Sequence, residues 1–460
     1  MKALILLVIL GIVLLYNAFI KTKKLLLPLA LIGLSGVILL LIARWDMHPS
    51  YFNRMIVLDN YAIAFNIVVI FSTMLIFLLS QNYFKGVDRY VPEIYALMTF
   101  TLAGTFLMIA YGNLVVLFIG IETMSIPLFI LAGSKKFSLR SNEASFKYFM
   151  MSSIASAIFL FGIVLLYGAT VSFHIDGITE FIKVHHGNIP SIFKLGVLFI
   201  LIGFAFKVAA VPFHFWVPDV YEGSPTLITS FMATVVKVAS FAAFFKLFHC
   251  CFAPLASQWL IIVAALALLT LLTGNLIASQ QTNVKRLLAY SGIAHTGFML
   301  LAFLAFSQTS ANAILYYSIA YSLAVIPAFG ILIMVKNNKG SNAEISAFNG
   351  LGKRNPIFAL IMTFAMLSFT GIPITAGFFA KYYVFVNAIS AGYLWLVIVA
   401  ILVALISVYF YFKIIVAMYF RAGETEVIMC DIPYLVALIM ATMLTLALGL
   451  FPGMILGLTI

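Results

Sequence analysis

The sequence has very few charged residues for its length. Only 9% of its 460 residues are Asp, Glu, Lys or Arg, while 64% are hydrophobic. A soluble globular protein is about a quarter charged and roughly half apolar. This shortage of charge excludes a water-soluble fold. The appropriate length scale is therefore that of the lipid bilayer, which takes roughly 20 apolar residues per crossing helix.

Cysteines are also scarce. The chain has three, Cys250, Cys251 and Cys430, which show neither a metal-ligand spacing nor a paired framework for disulfides. The sequence therefore predicts that this polypeptide holds no redox centre, no metal and no cofactor of its own.

The excess of basic residues, a net charge of +12, does not indicate a nucleic-acid partner. The Lys and Arg residues occur singly or in short clusters between apolar runs. This distribution is typical of membrane proteins, whose cytoplasmic loops are rich in Lys and Arg. We therefore expect contact with membrane lipids and no binding of nucleic acid.

The chain contains a long series of apolar segments. Cutting at polar, Gly or Pro clusters gives fourteen segments in chain order: 3–20, 25–43, 56–80, 92–110, 112–133, 143–171, 192–213, 224–248, 256–278, 286–306, 309–335, 356–388, 392–419 and 432–456. Strands of a membrane barrel would be ~10-residue segments of alternating polarity, whereas these are longer and apolar on all faces. The pattern predicts an all-α polytopic membrane protein with about 14 transmembrane helices. The first segment lacks the cleavage site of a signal peptide, so we expect a retained helix.

The loops predict the orientation of these helices. Loops after odd-numbered segments hold fifteen basic residues: Lys21, Lys23, Lys24, Lys85, Arg89, Lys135, Lys136, Arg140, Lys285, Arg286, Lys336, Lys339, Lys353, Arg354 and Arg421. The opposite side holds six: Lys2, Arg44, Arg54, Lys183, Lys194 and Lys246. We therefore expect both termini on the non-cytoplasmic side. One loop, 214–223, disagrees, because it is assigned to the cytoplasmic side yet carries Asp219 and Glu222 and no base.

Basic residues within two positions of a segment end are counted with the loops, and five lysines then remain inside the apolar segments: Lys147, Lys207, Lys237, Lys381 and Lys413. A charge at the centre of a membrane helix costs about 2.5–3.5 kcal/mol on insertion scales, so each needs an explanation. A long side chain near a helix end can extend its ammonium into the headgroup region, which would account for Lys413 and competes evenly for Lys147. The other three lie deeper, where buried charge marks an ion or proton pathway.

An acid and a histidine also lie well inside apolar segments. Glu122 is the acid at the middle of an apolar run, and His295 lies in segment 10. One acid among several buried bases suggests a pair, either a structural salt bridge or part of a pathway. Burial disfavours the charged form and a nearby opposite charge favours it, so such groups can change protonation when a neighbour moves. His295 either extends this set or is a hydrogen-bonded core histidine.

Two segments are predicted to be broken. Segment 12 spans about 33 residues, which as a straight helix would reach ~50 Å across a ~30 Å hydrocarbon core. We place its break at 370–373, where Pro373 removes a backbone donor, and a second break in segment 7 at Val211–Pro212. Irregular backbone at membrane depth is tolerated where it is buried in protein or lines a wet cavity. Each break lies near a buried lysine.

The spacing of the buried groups predicts an internal repeat. Glu122 precedes His295 by 173 positions, Lys207 precedes Lys381 by 174, and Lys237 precedes Lys413 by 176. Paired interrupted helices are typical of inverted repeats around an ion site. We therefore predict two inverted five-helix repeats, helices 4–8 and 9–13. The predicted units are an N-terminal three-helix segment, a first repeat, a second repeat and a C-terminal helix, at 1–91, 92–250, 251–420 and 421–460.

Three motifs resemble a known family. They are FKVAAVPFHFWVPDVYEGSPT at 206–226, GNLIASQQTNVKRLLAYSGIAH at 274–295 and GIPITAGFFAK at 371–381. They look like the signatures of the antiporter-like membrane subunits of complex I, the proton-pumping NADH:quinone oxidoreductase, and the PDVYEG portion most resembles the subunit N branch. Lys381 also resembles that branch, because subunit M tends to use glutamate there. The resemblance covers nearly the whole chain.

This resemblance implies a role for individual residues. It implies that Glu122 is the acid of the fifth helix, Lys207 the base of the broken seventh, Lys237 the connecting base of the eighth and Lys381 the terminal base of the broken twelfth. It also implies that FMN, iron–sulfur clusters, NADH and quinone bind to partner subunits. The implied partners are neighbouring antiporter-like and small membrane-arm subunits of complex I, in a bacterial inner membrane.

Two alternative functions stay open at this point. A subunit of a Mrp-type cation/proton antiporter would share the fold and the buried lysines, although the Tyr221-Glu222-Gly223 motif favours complex I. A purely structural scaffold of the membrane arm would tolerate loss of the buried charges. This sequence does not identify which electron donor or which quinone the complex uses.

Overall fold

The computed structural model describes residues 1–19, 25–84, 90–185, 188–306, 309–339, 343–423 and 430–458. Nearly all of the described chain is helical. Eleven of its helices are long and apolar enough to cross a membrane, and two shorter apolar helices span Leu26–Ile42 and Pro356–Thr370. The chain is thus an all-α polytopic membrane protein, as predicted. The count of fourteen crossings stays a prediction.

The helices of the first half precede residue 252. They are α1 Lys2–Tyr16, α2 Leu26–Ile42, α3 Asn60–Tyr83, α4 Val91–Ile109, α5 Leu114–Ala132, α6 Leu139–Thr170, α7 Ile175–Val184, α8 Ser191–Lys207, α9 Trp216–Gly223, α10 Thr226–Phe231 and α11 Lys237–Lys246. A π-helical turn, Met232–Val236, joins α10 to α11, and a second one, Leu247–Cys251, follows α11.

The helices of the second half begin at residue 256. They are α12 Ala256–Gln280, α13 Val284–Leu301, α14 Thr309–Lys339, α15 Leu351–Arg354, α16 Pro356–Thr370, α17 Ala376–Ser390, α18 Leu394–Phe420, α19 Ile432–Leu450 and α20 Gly453–Leu456. Short 3-10 turns lie at Asn17–Phe19, Ala253–Leu255, Ala302–Leu304 and Ile345–Phe348.

Segments 7 and 12 are interrupted at the predicted places. In segment 7, the chain leaves the helix between α8 and α9, and the freed backbone N–H of Val211 donates to the Thr270 hydroxyl of α12 at 2.9 Å. In segment 12, α16 ends with Gly371 in the left-handed conformation, at a φ of 85°. Backbone N–H groups of Gly371 and Ile372 then donate to the Leu367 carbonyl, which satisfies one of the free carbonyls of the helix end.

Several local elements were not predicted, including the short helices α9 and α15. A two-residue hairpin, β1 Ser50–Tyr51 with β2 Ile56–Val57, replaces the expected helical start of segment 3 at residue 56. That helix begins at Asn60 instead, because Asp59 caps it by accepting from the backbone N–H of Ala62 at 2.7 Å. The amphipathic α7 and the π-helical turns also lie outside what the hydrophobic pattern predicts.

Loops assigned to the same face of the membrane contact one another. On the face with few basic residues, Arg54 forms an ion pair with Asp176 at 3.0 Å. On the opposite face, Asn283 forms an antiparallel bridge with Glu344. These contacts agree with the predicted grouping of the loops, while the face that meets the cytoplasm stays a prediction. Five basic residues of that prediction lie outside the described residues, as do two of its side chains: Lys21, Lys23, Lys24, Lys85 and Arg89, and the side chains of Lys336 and Lys339.

The most buried helices lie at the centre of the molecule. All residues of 226–248 are buried, and so are nearly all residues of Val284–Leu304 and Thr309–Val335. By contrast, fewer than half of the residues of Leu139–Thr170 and Leu394–Phe420 are buried, and these helices present many apolar side chains outward. Apolar surface of this kind is stable against lipid tails. The central helices carry Lys237 and His295, so these polar side chains are buried, while the outer helices expose apolar side chains.

Candidate functional site

Three of the predicted lysines are buried in the interior. Lys207, Lys237 and Lys381 are 8%, 6% and 6% exposed, and each donates hydrogen bonds to groups inside the protein. None of the three follows the alternative in which the ammonium reaches the headgroups. The interior therefore holds these groups as the depth argument predicted.

Lys207 is the last residue of α8, at the break. Its ammonium donates to the hydroxyls of Ser125 at 2.9 Å and of Ser152 at 2.8 Å. Glu122 lies one helical turn before Ser125 on α5, and its Oε1 atom is buried without a hydrogen-bond partner among the described residues. The Lys207 ammonium therefore contacts serine hydroxyls rather than the Glu122 carboxylate. A hydroxyl takes the place of the carboxylate next to the ammonium.

Lys237 starts α11, immediately after the π-helical turn Met232–Val236. π-Turns are rare and occur frequently at functional sites, because they re-aim the side chains that follow. The Lys237 ammonium donates to the carbonyl of Gly292 on α13 and lies 5.1 Å from the ring centroid of Tyr321. Lys237 is thus positioned between the central helices α13 and α14.

A threonine on α13 connects the surroundings of these two lysines. The hydroxyl of Thr296 lies 2.7 Å from the carbonyl oxygen of Val208, next to Lys207, and 3.2 Å from that of Gly292, which Lys237 contacts. The break after α8 supplies this free carbonyl. Thr296 therefore contacts both the carbonyl that follows Lys207 along the chain and the carbonyl that the Lys237 ammonium contacts.

His295 lies further along the same polar face of α13. It is 5% exposed, and its Nδ1 and Nε2 atoms are hydrogen-bonded to the hydroxyls of Tyr317 at 2.7 Å and Tyr411 at 3.2 Å. The Tyr411 hydroxyl also lies 2.5 Å from that of Ser291. The ring of Tyr321 is 5.0 Å from that of His295 and thus lies between His295 and Lys237.

Lys381 follows the second break, on α17. Its ammonium donates to the carbonyls of Phe369 at 3.0 Å and Thr370 at 2.8 Å, which are the free carbonyls at the end of α16. A helix carries partial negative charge at its C-terminus, so this position favours a cation. The Phe369 ring is also 5.4 Å from that of His295.

These groups form what we call the central polar row. Its members are Ser125, Ser152, Lys207, Thr296, Lys237, Tyr321, His295, Tyr411 and Lys381. A cavity with about 10 Å³ of room for water lies beside it, lined by residues that include His295, Tyr321 and Phe369. That is about the space of one water molecule. The row can pass a proton in short steps if water joins its members, because it alternates ionisable groups with hydroxyls.

The other two lysines lie at the periphery. The Lys147 ammonium forms ion pairs with Glu143 at 2.7 Å and Asp219 at 2.9 Å, and its side chain is 42% exposed. Lys413 is half-buried and donates to the carbonyl of Ser279 at 2.6 Å, in the wall of a cleft of about 660 Å³. The structure does not bring either lysine into the central polar row.

The ion pair of Lys147 with Asp219 also helps to explain why the loop 214–223 carries acids on the face that is predicted to be basic. Asp219 is also 3.0 Å from Arg286, which pairs with Glu222 at 2.9 Å. Both acids of the loop 214–223 are therefore neutralised by bases from other elements, Lys147 of α6 and Arg286 of α13. The acids do not contradict the predicted orientation, because the face as a whole stays basic.

Sequence reasoning missed two more buried lysines, Lys246 and Lys285, the latter only 1% exposed. Lys246 was assigned to a loop, yet it is the last residue of α11 and only 8% exposed. It forms an ion pair with Asp59 at 3.0 Å and lies 5.6 Å from the ring centroid of Tyr111. Its position near the end of segment 8 gave no signal of burial, because the acid that pairs with it is 187 residues away.

We expect Asp59→Asn to destabilise the protein by about 1–3 kcal/mol. The change leaves the Lys246 charge without its partner, a strong effect for a fully buried pair and a smaller one here because Asp59 is 31% exposed. An asparagine still caps α3 through its side-chain oxygen, so helix capping is preserved. The measurement is the thermal unfolding midpoint of the protein in detergent.

The double variant Asp59→Asn with Lys246→Met is the control. It removes both charges, so we expect it to recover most of the lost stability. Equal destabilisation in the single and double variants would contradict a role for the ion pair itself.

The hydroxyl partners of the lysines were also missed, since Ser125, Ser152 and Thr296 are ordinary residues in apolar helices.

Among the described residues, no group of three or more His, Cys, Asp or Glu side chains could hold a metal ion.

The sequence and the fold were compared with known proteins. The family model "NADH:quinone oxidoreductase/Mrp antiporter, TM" matches residues 111–407. The curated proteins include NADH-quinone oxidoreductase subunit N of Flavobacterium psychrophilum, 40% identical with full coverage of both chains, and that of Flavobacterium johnsoniae, 41% identical with full coverage of both.

Solved structures are similar over the whole chain. A chain of respiratory complex I from Thermus thermophilus with bound aureothin matches with a TM-score of 0.85 and 31% identity, covering 99% of each chain. A chain of the Mrp complex from Dietzia sp. has a TM-score of 0.86, with 100% of this chain and 96% of that chain covered, but at 19% identity it shows the fold alone. The chain therefore belongs to the NADH:quinone oxidoreductase/Mrp antiporter transmembrane family and, within it, to the NADH-quinone oxidoreductase subunit N family.

Proposed function

We propose that this chain translocates protons across the membrane as the subunit N of an NADH:quinone oxidoreductase, while partner subunits transfer electrons from NADH to quinone. The observation that carries the proposal is the central polar row, in which buried lysines at two helix breaks lie among hydroxyls and a histidine. Intramembrane ionisable groups arranged in this way are typical of proton relays.

In this proposal each predicted residue has a role. Lys207 stores a proton beside Ser125 and Ser152, and the charge of Glu122, one turn away on α5, controls how firmly it is held. A charge change in a neighbouring subunit alters the effect of Glu122, and Lys207 then releases its proton toward Lys237 by way of water and Thr296.

The second half of the route runs from Lys237 to Lys381. The proton passes the Tyr321 ring and His295, whose two nitrogens contact Tyr317 and Tyr411 and can therefore exchange protons on either side. Lys381 holds the proton against the carbonyl end of α16 and releases it to the far side. His295 thus acts as the relay between the two lysines.

The energy that this mechanism requires is modest. Moving one charge through a potential of 100 mV needs about 2.3 kcal/mol. A hundredfold change in the proton affinity of a lysine corresponds to about 2.7 kcal/mol. Repositioning one charge near Lys207 in a low-dielectric interior is enough to supply this, since interactions between buried charges are weakly screened.

The proposal also covers the two peripheral lysines and the two predicted repeats. We assign Lys147 to the approach from the basic face, where it lies in an ion cluster, and Lys413 to the wall of a surface cleft. The two five-helix repeats, 92–250 and 251–420, would then each contain one broken helix with its lysine. The flanking units are 1–91 and 421–460.

The proposed setting follows from the family. FMN, iron–sulfur clusters, NADH and quinone would bind to partner subunits, and the neighbours in the membrane would be antiporter-like and small membrane-arm subunits. We propose a bacterial inner membrane with both termini on the non-cytoplasmic side. The test is purification in a mild detergent, followed by identification of co-purifying subunits. Co-purification of iron–sulfur subunits supports the proposal, whereas isolation with Mrp antiporter subunits alone would refute it.

We expect Tyr411→Phe to slow proton pumping by about tenfold or more. The substitution removes the hydroxyl between Ser291 and His295, a positioned proton-transfer group, with no loss of ring packing. The measurement is the number of protons pumped per NADH oxidised in reconstituted membranes. Tyr316→Phe is the matched control, because the buried Tyr316 hydroxyl donates to the Leu448 carbonyl outside the row. An equal loss in both variants would refute a specific role of Tyr411.

A further inference from the structure

A polar cavity opens on the basic face near Lys207. It has a volume of about 260 Å³, and it is lined by residues of α6 and α9: Arg140, Glu143, Ala144, Lys147, Asp219, Glu222 and Gly223. Its walls carry both signs of charge, so the cavity suits water.

An aromatic layer separates this cavity from Lys207. Ala144, Tyr148 and Ser152 follow one another along a single face of α6 at intervals of four residues. Ala144 lines the cavity and Ser152 contacts Lys207, so Tyr148 lies between the two. The Tyr148 ring stacks on that of Trp216 at 4.8 Å, and Trp216 in turn stacks on Phe206 at 5.4 Å.

The layer is closed. Tyr148, Trp216 and Phe206 are 1%, 7% and 4% exposed, and the Trp216 indole donates to the Phe206 carbonyl at 3.4 Å. Trp216 is the first residue of α9. Any displacement of this short helix therefore withdraws the central ring of the layer.

Charged groups fix α9 on both sides. Asp219 lies one turn after Trp216 and contacts Lys147 of α6 at 2.9 Å and Arg286 of α13 at 3.0 Å. The Lys285 ammonium donates to the carbonyls of Glu222 and Ser224 at the end of the helix. α9 is therefore tied to α6, in the first predicted repeat, and to α13, in the second.

We propose that Asp219 is a positioning residue whose two ion pairs hold α9 in place and keep the aromatic layer closed between the polar cavity and Lys207. When the pairs separate, α9 moves, Trp216 leaves Tyr148, and water from the cavity reaches Lys207. We call the two ion pairs of Asp219 the latch. The inference rests on the proposed function for the identity of the moving ion, whereas the latch concerns only the position of α9.

The latch is tested by hydrogen–deuterium exchange of the peptide 216–223 in the assembled complex. Partly exposed ion pairs each shift an equilibrium by up to about fivefold, so we expect Asp219→Asn to raise exchange in α9 by about fivefold to tenfold. Asp219→Glu keeps the charge, and we expect it to restore slow exchange. The matched control is Glu143→Gln, which removes the other partner of Lys147 and leaves both ion pairs of Asp219 in place.

The same preparations, reconstituted in liposomes, test the aromatic layer. We expect Asp219→Asn to raise the passive proton leak and lower the protons pumped per NADH oxidised, and Asp219→Glu to restore both. Unchanged exchange in Asp219→Asn would overturn the latch, whatever the pumping result. Faster exchange with unchanged leak and pumping would overturn the link between the latch and Lys207. If Asp219→Asn does not assemble, Arg286→Gln tests the same ion pair from its other side.

Discussion

In the assembled complex, Lys207→Met is expected to lower the proton flux through this subunit by about 100-fold or more. A methionine has a similar length but cannot take up a proton, and loss of a positioned proton-transfer group typically costs two to four orders of magnitude in rate. Folding should be preserved, because Ser125 also donates to the Ile121 carbonyl at 2.6 Å and is not left without a partner.

The measurement is the number of protons pumped per NADH oxidised in reconstituted vesicles, with quinone reduction followed in parallel. Lys413→Met is the matched control, since it removes the same charge from a half-buried position outside the central polar row. We expect that variant to retain most of its pumping. Equal losses in the two variants would refute the ranking by depth, and normal pumping by Lys207→Met would refute the relay.

Glu122→Gln tests how the acid acts without a direct contact. If the carboxylate controls Lys207 through its charge, the amide should impair pumping although it preserves size and hydrogen-bonding capacity. Because the two groups are not ion-paired in the described structure, the effect should be weaker than that of Lys207→Met. A Glu122→Gln variant that pumps at the normal stoichiometry would show that Lys207 is controlled from elsewhere.

The sequence predicted those parts of the site that are energetically unfavourable inside a membrane. A lysine in an apolar run, or a proline and glycine in the middle of a membrane helix, is unfavourable enough to require a reason. For this reason Lys207, Lys237 and Lys381 and both helix breaks could be identified before the fold was known. The overall class followed from the length and hydrophobicity of the segments.

The sequence could not predict contacts that depend on the packing of distant helices. Whether Lys207 meets Glu122 or the hydroxyls of Ser125 and Ser152 is decided by side-chain geometry across three helices. Likewise, Lys246 was counted with a loop because it lies at the end of segment 8. Its partner Asp59 is 187 residues away in the sequence, so nothing nearby indicated its burial. Serine and threonine are ordinary in membrane helices, where they bond their own backbone, so their hydroxyls carry no signal in the sequence.

The second large effect concerns two glycines that set the distance between helices. A Cβ atom at Gly104 of α4 would lie 2.7–2.8 Å from the backbone of Thr123 and Met124 on α5. A Cβ atom at Gly274 of α12 would lie 2.5–2.8 Å from the backbone of Ala294 on α13. Small residues allow membrane helices to approach closely, and backbone atoms cannot move aside as a flexible side chain can.

We therefore expect Gly104→Leu and Gly274→Leu to remove most of the subunit from the assembled complex. Overpacking costs typically 1–3 kcal/mol where side chains can adjust, and here the two backbones must separate by the width of a side chain. Gly168→Leu is the matched control, because nothing lies within 4 Å of a Cβ atom at that position on the outer surface of α6. The amount of subunit in the complex, measured on native gels, decides the result. Assembly of Gly104→Leu at the level of Gly168→Leu would refute the packing argument.

The same glycines place the site residues. The contact at Gly104 reaches Thr123 and Met124, next to Glu122, and the contact at Gly274 reaches Ala294, next to His295. The two glycines are 170 positions apart, close to the 173 positions that separate the acid from the histidine. Milder substitutions, Gly104→Ala and Gly274→Ala, should therefore give complexes that assemble but pump poorly. If they pump normally once assembled, the spacing of these helices serves stability alone, and the central polar row tolerates a shift of its supporting backbone.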